Sequence, residues 1–483
     1  MLGRVPELSL IVADSLDTPS LASLSLVSRT LHKLVQPVLY RHVNLSVGNP
    51  WGDNDGEKAH ELSGRVQDKV ESLLAGNEDR LKLVKRLTVV GCGWSDSEEG
   101  LKKLDELLRK VKVEELDLLH CPIHKPKLDP WSPLWHALAA QPQIHTLRIV
   151  GNPAPLQPYG GEGGVYLPQS WYNSVFDLHK FAQHSPTSLR SLSLSSLWFS
   201  SEDEDEDQDG DEGEDEAKPS PFPSTVFTGL EELLLEDLTS DFLEAVAVSF
   251  KACSKSNSAL PLRAVTLDSH MQCDAASSYN PVKADLLDFL TAFSAAPHLS
   301  SLAIGSTGSA SHRGIAQMLV MSSGVPFGMP IAAVFDAEDV RELASTVASE
   351  LTGLTELTLR LNPRAEGWYE KLAEEDLIEF AQTVGTMPNL RRFTTNAILP
   401  LPAASSAADE DAKPAPPSAT HLDRTAQLLL APLPTLDSLT LADELEVVQD
   451  SFDETTLGEP EEAAARRATQ TWRRSADSRA GEV

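Results

Sequence analysis

Few residues of this chain have the types and spacing that metal binding requires. The segment "HCPIH" places His120, Cys121 and His124 at a spacing that zinc ligands use. A structural zinc site needs four such ligands, and the sequence offers no second cluster that would complete the set. Cys121 also occupies the last position of a repeated motif, described below, that gives it a structural role. We therefore predict no metal site.

Two motifs that are typical of enzymes, a phosphate-binding loop and a nucleophilic serine, are also missing from the sequence. The glycine-rich segment "YGGEGG" (159–164) lacks the Lys and the Ser or Thr that complete a phosphate-binding loop. No G-x-S-x-G segment presents a nucleophilic serine. We predict that the protein is not an enzyme and that it uses no cofactor.

Charged residues at regular intervals favour a binding function. They alternate with aliphatic residues, so they would all lie on the outward face of a sheet whose inner face is buried. The candidate substrate-binding residues are Arg86, Glu115, Asp117, Arg148, Glu232, Glu236, Arg360 and Arg392.

Two of these residues, Arg360 and Arg392, suggest what the surface binds. They lie on the outward faces of two strands that are neighbours if no other strand intervenes, and neighbouring strands lie about 4.8 Å apart in a sheet. The two guanidinium groups would then share an anionic group of a phosphorylated or acidic substrate. Alternatively, they pair with Glu356 and other nearby carboxylates.

One repeated motif, L-x-x-L-x-L-x-x-N/C, supplies the strands on which these residues lie. Its second and third aliphatic positions are two residues apart, so both point to one face of a strand. The motif is that of leucine-rich repeats, whose stacked copies form a parallel sheet over a continuous core. Ten segments carry the motif or its first six positions: 84–92, 113–121, 144–152, 189–194, 230–235, 262–267, 299–304, 354–362, 390–395 and 436–441.

Helical patterns lie between the strands. Apolar residues at i, i+3 and i+4 give each of these segments one face that can pack on the sheet. The five clearest are 101–111, 240–254, 283–296, 339–351 and 376–387. The expected fold class is therefore α/β: an irregular leucine-rich-repeat solenoid with a curved parallel sheet and outer helices.

The chain opens with a compact helical module. Residues 7–16 predict a first helix, and Asp17 or Thr18 predicts the cap of a second, with Pro19 in its first turn. A third apolar stripe, ended by Pro37, consists of Leu24, Val27, Leu31, Leu34 and Val35. "LYRHVNLS" (39–46) alternates and is expected to start the sheet. Three short helices bury little surface, so such a unit needs a neighbour or a partner.

This opening resembles the F-box of fungal F-box and leucine-rich-repeat proteins. The resemblance rests on Pro6-Glu7-Leu8, on the run "LASLSLVSR" from Leu21 to Arg29, and on Leu39-Tyr40. It implies a three-helix module that binds the Skp-type adaptor of a cullin-RING ubiquitin ligase, while the repeats bind a protein substrate. The adaptor contacts that it implies are Pro6, Leu8, Ile11, Leu21, Leu24 and Val27.

The resemblance implies a substrate-recognition subunit of a cullin-RING (SCF-type) E3 ubiquitin ligase. The alternative is a leucine-rich-repeat interaction scaffold with no ubiquitin role, in which the same helices only cap the first repeat. A third interpretation is a repeat protein that activates a small GTPase.

Composition limits the partners and the cellular location. The net charge is −32, with 40 basic and 72 acidic residues, which argues against nucleic acid and against anionic membranes. The four cysteines form no C-x-x-C pair, and no secretory signal opens the chain, so we expect a cytoplasmic or nuclear protein.

The expected organisation has three parts. Residues 1–43 form the F-box-like module, 44–445 the solenoid, and 446–483 a disordered tail without core contacts. Two insertions are expected to stay out of the fold: an acidic run near 200–222 and a Pro/Ala/Ser linker at 400–419. The acidic run is typical either of a solvated loop or of a segment that binds a basic partner.

Overall fold

The computed structural model describes a large part of the chain in two compact units. The first unit holds the described residues of Met1–Ala217 and Thr225–Leu230, and the second holds Ser224 and the described residues of Glu231–Ala310 and Gly328–Val483. The described residues are 12–13, 15–45, 68–76, 78–90, 98–119, 138, 141–150, 175–176, 181, 183, 185–195, 198–199, 224–236, 240–255, 260–268, 281–293, 296–304, 337–359, 373–397, 419–443 and 468–473.

Parallel strands form the core of the first unit. They are hydrogen-bonded in the order β1-β2-β3-β4-β6, and β5 pairs with β7 in a separate short sheet. The strands are β1 His42–Leu45, β2 Arg86–Val90, β3 Glu115–Leu119, β4 Thr146–Val150, β5 Val175–Phe176, β6 Ser191–Ser195 and β7 Trp198–Phe199. The register sets equivalent motif positions opposite one another, in a buried row that runs through Leu87, Leu116, Leu147 and Leu192.

The second unit repeats this arrangement with seven strands in chain order. They are β8 Glu232–Glu236, β9 Ala264–Asp268, β10 Ser301–Ile304, β11 Glu356–Leu359, β12 Arg392–Thr395, β13 Ser438–Asp443 and β14 Ala468–Arg473. All neighbours are parallel except β13 and β14, which are antiparallel. All ten predicted motif copies are strands, and the expectation that residues 39–46 start the sheet is also confirmed, by β1.

Backbone hydrogen bonds fix the stacking at the start of most of the parallel strands. The carbonyl of Arg41 accepts the N–H groups of Lys85 and Arg86, at 2.8 and 2.9 Å. The same pattern recurs where Arg263 accepts from Ser300 and Ser301, at 2.9 and 3.0 Å. One acceptor therefore holds two donors of the next strand, which leaves little freedom to shift the register.

Helices pack beside the strands, as the apolar spacing predicted. They are α1 Thr18–Val27, α2 Arg29–Leu39, α3 Glu78–Leu81, α4 Glu98–Lys110, α5 Ser240–Lys255, α6 Pro281–Ala292, α7 Ala337–Glu350, α8 Glu374–Gly385 and α9 Ala419–Leu430. Residues 68–74 are also helical, and 224–229 form a 3-10 turn. Between α5 and α6, Phe250, Phe289 and Phe293 interlock with ring centroids 4.8–5.9 Å apart. Such edge-on aromatic packing stabilises a helix pair beyond the area it buries.

The N-terminal helices correct one prediction. The expected cap at Asp17 is confirmed, because its carboxylate accepts from the N–H of Ser20 at 3.0 Å. The residues of the predicted third stripe nevertheless belong to two helices, α1 and α2. The chain is extended at Ser28, whose hydroxyl caps α2 by accepting from the N–H of Leu31 at 3.2 Å. Serine readily breaks a helix in this way, since its hydroxyl replaces a backbone acceptor.

Pro37 does not end α2, contrary to the prediction. The helix continues to Leu39, and the N–H of Tyr40 still donates to the carbonyl of Gln36 at 3.0 Å. A proline this close to the end of a helix removes one backbone hydrogen bond and leaves the bonds of the last turn in place.

The tail contains an unexpected strand. We predicted no core contact after 446, and this was wrong for β14. Its residue Trp472 lies opposite Leu439, at the position of the buried row, and its Nε1–H donates to Asp423 of α9 at 3.0 Å. The charge-rich composition of the tail hid this short strand. The two predicted insertions lie outside the described residues, except that α9 already begins at Ala419.

A glycine contact offers a test of this packing. A Cβ on Gly385, the last residue of α8, would press against the backbone carbonyl of Pro432 more closely than real Cβ atoms approach other atoms. Gly385→Ala should therefore lower the free energy of unfolding by about 1–3 kcal/mol. At Gly353 the nearest atom would be the carbonyl oxygen of Leu299 at 3.5 Å, an ordinary contact. Gly353→Ala should change the same free energy by less than about 0.5 kcal/mol in urea unfolding. Equal losses in the two variants would contradict the packing described for α8.

Candidate functional site

Several predicted binding residues of the first unit form hydrogen bonds with one another. Arg86 donates from Nε and Nη2 to Oδ2 of Asp117, at 2.9 and 2.8 Å, and the Thr88 hydroxyl donates to the same oxygen at 2.9 Å. They meet because the register sets Thr88 of β2 opposite Asp117 of β3, on the face opposite the aliphatic rows. Asp117 is only 5% exposed. A buried carboxylate needs such donors, since an unpaired charge in that position is costly.

His42 extends this network to a third strand. Its Nε2 lies 2.9 Å from the Thr88 hydroxyl oxygen. Because the Thr88 proton is donated to Asp117, the imidazole N–H is the donor in this contact. Burial, followed by the positive charge of Arg86, lowers the pKa of His42 below its ordinary value, and the charges of Asp117 and Glu115 oppose that change. Sequence reasoning missed His42, although it occupies the position in β1 that Arg86 occupies in β2.

The network is suited to holding strands together and gives no catalytic arrangement. The imidazole donates to the Thr88 hydroxyl and so does not accept its proton, and Asp117 already holds three donors. Glu115 adds a weaker contact, with Oε2 at 3.6 Å from Arg86 Nη1. The charges of Arg86 and Asp117 thus neutralise each other within the sheet.

The remaining predicted substrate-binding residues are more dispersed. Arg148 is half-buried opposite Asp117 in the register. Glu232 is exposed at the start of β8, whereas Glu236 at its end is buried.

The proposed anion-binding pair of Arg360 and Arg392 can be described only at Arg392. Arg392 Nη2 lies 2.8 Å from Glu356 Oε2, an ion pair in which the two side chains are 63% and 37% exposed. The register causes this, because it sets Glu356 directly opposite Arg392. The alternative interpretation, pairing with Glu356, is thus the observed one for Arg392. Arg360 lies outside the described residues.

The predicted adaptor contacts fall into three groups. Pro6, Leu8 and Ile11 lie outside the described residues. Leu21 is 5% exposed and packs with Ala13 and Val35 in the core of the N-terminal helices, with Leu24 half-buried against them.

Val27, by contrast, is on the surface. It is 70% exposed, and its neighbour Leu26 is 86% exposed, the highest value among the large apolar side chains that the structure describes. Leu26 was not among the predicted contacts. Its signal in the sequence is that the apolar residues of α1 are not confined to one face, so that the helix cannot bury all of them in one core.

Two further kinds of feature, a membrane-spanning helix and a metal-binding cluster, are absent from the described residues. No helix among them is long and apolar enough to cross a membrane. Nor do they contain a group of three or more His, Cys, Asp or Glu side chains placed to hold a metal ion. The segment 120–124, which suggested zinc, lies outside these residues.

The difference between buried and exposed ion pairs can be tested. Asp117→Ala should lower the free energy of unfolding by about 1–3 kcal/mol, because Thr88 and Arg86 lose a common acceptor. Arg392→Ala should change it by less than about 0.5 kcal/mol, since exposed ion pairs contribute little. Urea unfolding of both variants checks this; similar losses would show that burial does not distinguish the two pairs.

The lowered pKa of His42 predicts a pH dependence. The unfolded chain binds this proton more readily than the folded chain, so stability should fall as pH drops below the ordinary histidine value of 6.5. In His42→Gln, which keeps an amide donor but cannot titrate, the free energy of unfolding should fall less over the same range. Parallel pH profiles for the two proteins would argue against a role for His42 in this dependence.

Comparison with known proteins leaves the family open. No protein-family model matches the chain, and no curated protein matches it. Among solved structures, the chain is similar to one in the crystal structure of a TLR13–ssRNA13 complex, with 14% identity and a TM-score of 0.30. The match covers 65% of this chain and 29% of the length of that chain.

Proposed function

We propose that this chain is a protein-interaction scaffold that binds a partner through α1. The observation that carries the proposal is the exposure of Leu26 and Val27, at 86% and 70%, on a helix without a charged residue. Burying one such side chain contributes about 1.5–3 kcal/mol. A partner surface that covers both would remove this unfavourable contact with water.

The serines of α1 reinforce its apolar character. The hydroxyl of Ser23 donates to the carbonyl of Pro19 at 2.9 Å, and that of Ser25 to Ala22 at 2.6 Å. Their protons are therefore used within the helix, which lowers the cost of burying these side chains against a partner. A partner with an apolar groove fits such a helix best.

The finer proposal is that this partner is a Skp-type adaptor, which makes the chain a substrate receptor of a cullin-RING ubiquitin ligase. Its support is the F-box resemblance of the N-terminal segment together with the exposure of Val27, one of the contacts that the resemblance implies. In this role the chain performs no chemical step. Its contribution is to raise the local concentration of a bound substrate near the ligase. Such a receptor would work in the cytoplasm or the nucleus.

The competing proposal is a scaffold without a ubiquitin role. Its support is the packing of Leu21 with Ala13 and Val35, which gives α1 and α2 a core of their own. In that case the helices cap the first strands, and Leu26 and Val27 bind a partner other than a Skp-type adaptor. The partner distinguishes the two proposals.

Charges placed on the exposed face of α1 should strongly reduce adaptor capture. Purified full-length protein should retain the Skp-type adaptor on a column, and Leu26→Asp with Val27→Asp should reduce retention by at least about tenfold. The reason is that two desolvated carboxylates would replace two buried aliphatic groups. Retained adaptor, quantified at equal loading, is the measurement.

A matched control separates docking from folding. Thr30 is exposed in the first turn of α2, where an acidic side chain is compatible with the helix. Thr30→Asp should leave capture unchanged, and circular dichroism should show both variants folded. No capture by the folded wild-type protein would favour the scaffold without a ubiquitin role.

A further inference from the structure

We propose that an open depression at the starts of β9 and β10 binds a phosphate group. Its volume is about 330 Å³, and its lining residues are Pro261, Arg263, His298 and Ser300. All four belong to the second unit, whereas α1 belongs to the first, and the site extends the proposed function.

Arg263 is the residue that would hold the anion. Its side chain is 70% exposed, and its Nε lies 4.0 Å from Glu231 Oε2, too far for a hydrogen bond. Other arginines of this unit are paired more closely, since Arg341 lies 3.0 Å from Glu379 and Arg424 lies 2.6 Å from Glu374. The Arg263 guanidinium therefore keeps donors for a ligand, in a planar fork that matches phosphate and carboxylate.

The surrounding backbone fixes where Arg263 stands. Its carbonyl accepts the N–H groups of Ser300 and Ser301, at 2.9 and 3.0 Å, and the Ser300 hydroxyl at 3.2 Å. These three bonds hold the base of the arginine beside the next strand. Pro261 adds a wall with a fixed backbone angle and no N–H group.

His298 supplies the second donor. It is exposed on the turn that leads into β10, two residues before Ser300. An imidazole N–H and a guanidinium that line one depression can bind different oxygens of the same anion. The Ser300 hydroxyl already donates to the Arg263 carbonyl, so the proposed binding does not depend on it.

Glu231 is the competitor within the site. Its carboxylate is the negative group nearest to the Arg263 guanidinium among the ion pairs of the described residues. The net charge of −32 also opposes anions at long range, but salt screens this effect beyond about 8 Å at physiological ionic strength. Affinity is therefore determined locally, and removing the Glu231 charge should increase it.

Titration of the full-length protein with two probes tests the site. Inorganic phosphate and N-acetyl-O-phosphoserine amide would be followed by phosphorus-31 NMR at constant ionic strength. Arg263→Ala should weaken binding by about tenfold or more, because it removes hydrogen bonds to a charged group. Glu231→Gln should strengthen binding. Arg391→Ala is the matched control, because Arg391 precedes β12 as Arg263 precedes β9 but donates from Nη1 to the Thr435 carbonyl at 3.1 Å.

The outcomes separate the source of the anion from the existence of the site. Tighter binding of the phosphoserine probe would point to a phosphorylated partner segment, and equal binding of the two probes to a free phosphate ion. Either result, if lost in Arg263→Ala alone, supports the site. Dissociation constants weaker than about 10 mM, or an equal loss in Arg391→Ala, would overturn it. Adaptor capture through α1 is measured separately and does not depend on this result.

Discussion

The common register of the aliphatic rows is the constraint on which the rest of the structure depends. In the first unit Leu87 lies opposite Leu116, and in the second Leu302 lies opposite Leu357. A shift of one residue would turn the buried aliphatic residues outward and bring charged residues into the core. The register of the buried aliphatic rows therefore determines which side chains meet on the opposite face of the sheet. The contact between Thr88 and Asp117, and that between Glu356 and Arg392, are consequences of core packing.

The common register explains why regularly spaced charged residues on a sheet do not by themselves form a binding site. Strands that place charged residues at equivalent positions also bring them within reach of one another. Arg86 and Arg392 are both neutralised by a carboxylate of the adjacent strand. Groups available for a partner are then those that the sheet does not neutralise: the exposed aliphatic residues of α1, and Arg263, whose register neighbour Glu231 remains 4.0 Å away.

The sequence predicted the strands well because the motif combines two constraints at each position. Aliphatic spacing defines the strand, and recurrence of the motif defines its neighbours, so the parallel sheet, β1 and the five main interstrand helices all follow. Capping chemistry also placed the start of α1 correctly at Asp17.

The failures have two causes: a serine cap that the helical pattern overlooked, and contacts between residues that are far apart in the sequence. Ser28 breaks the predicted helix through its own hydroxyl, and β14 owes its place to pairing with β13 across a long sequence separation. His42, Leu26 and Arg263 carry ordinary local signals, and their importance comes from burial and from which neighbours they meet. Side-chain pairing across strands can be anticipated from an alignment of motif copies, but the exposure of a single side chain cannot.

Amide hydrogen–deuterium exchange, measured on the full-length protein with and without a purified Skp-type adaptor, tests the docking of α1 most directly. Our account predicts that the adaptor slows exchange in Thr18–Val27 and leaves the strands of the second unit unchanged. Unchanged exchange in this helix at saturating adaptor, or protection confined to the strands, would contradict it.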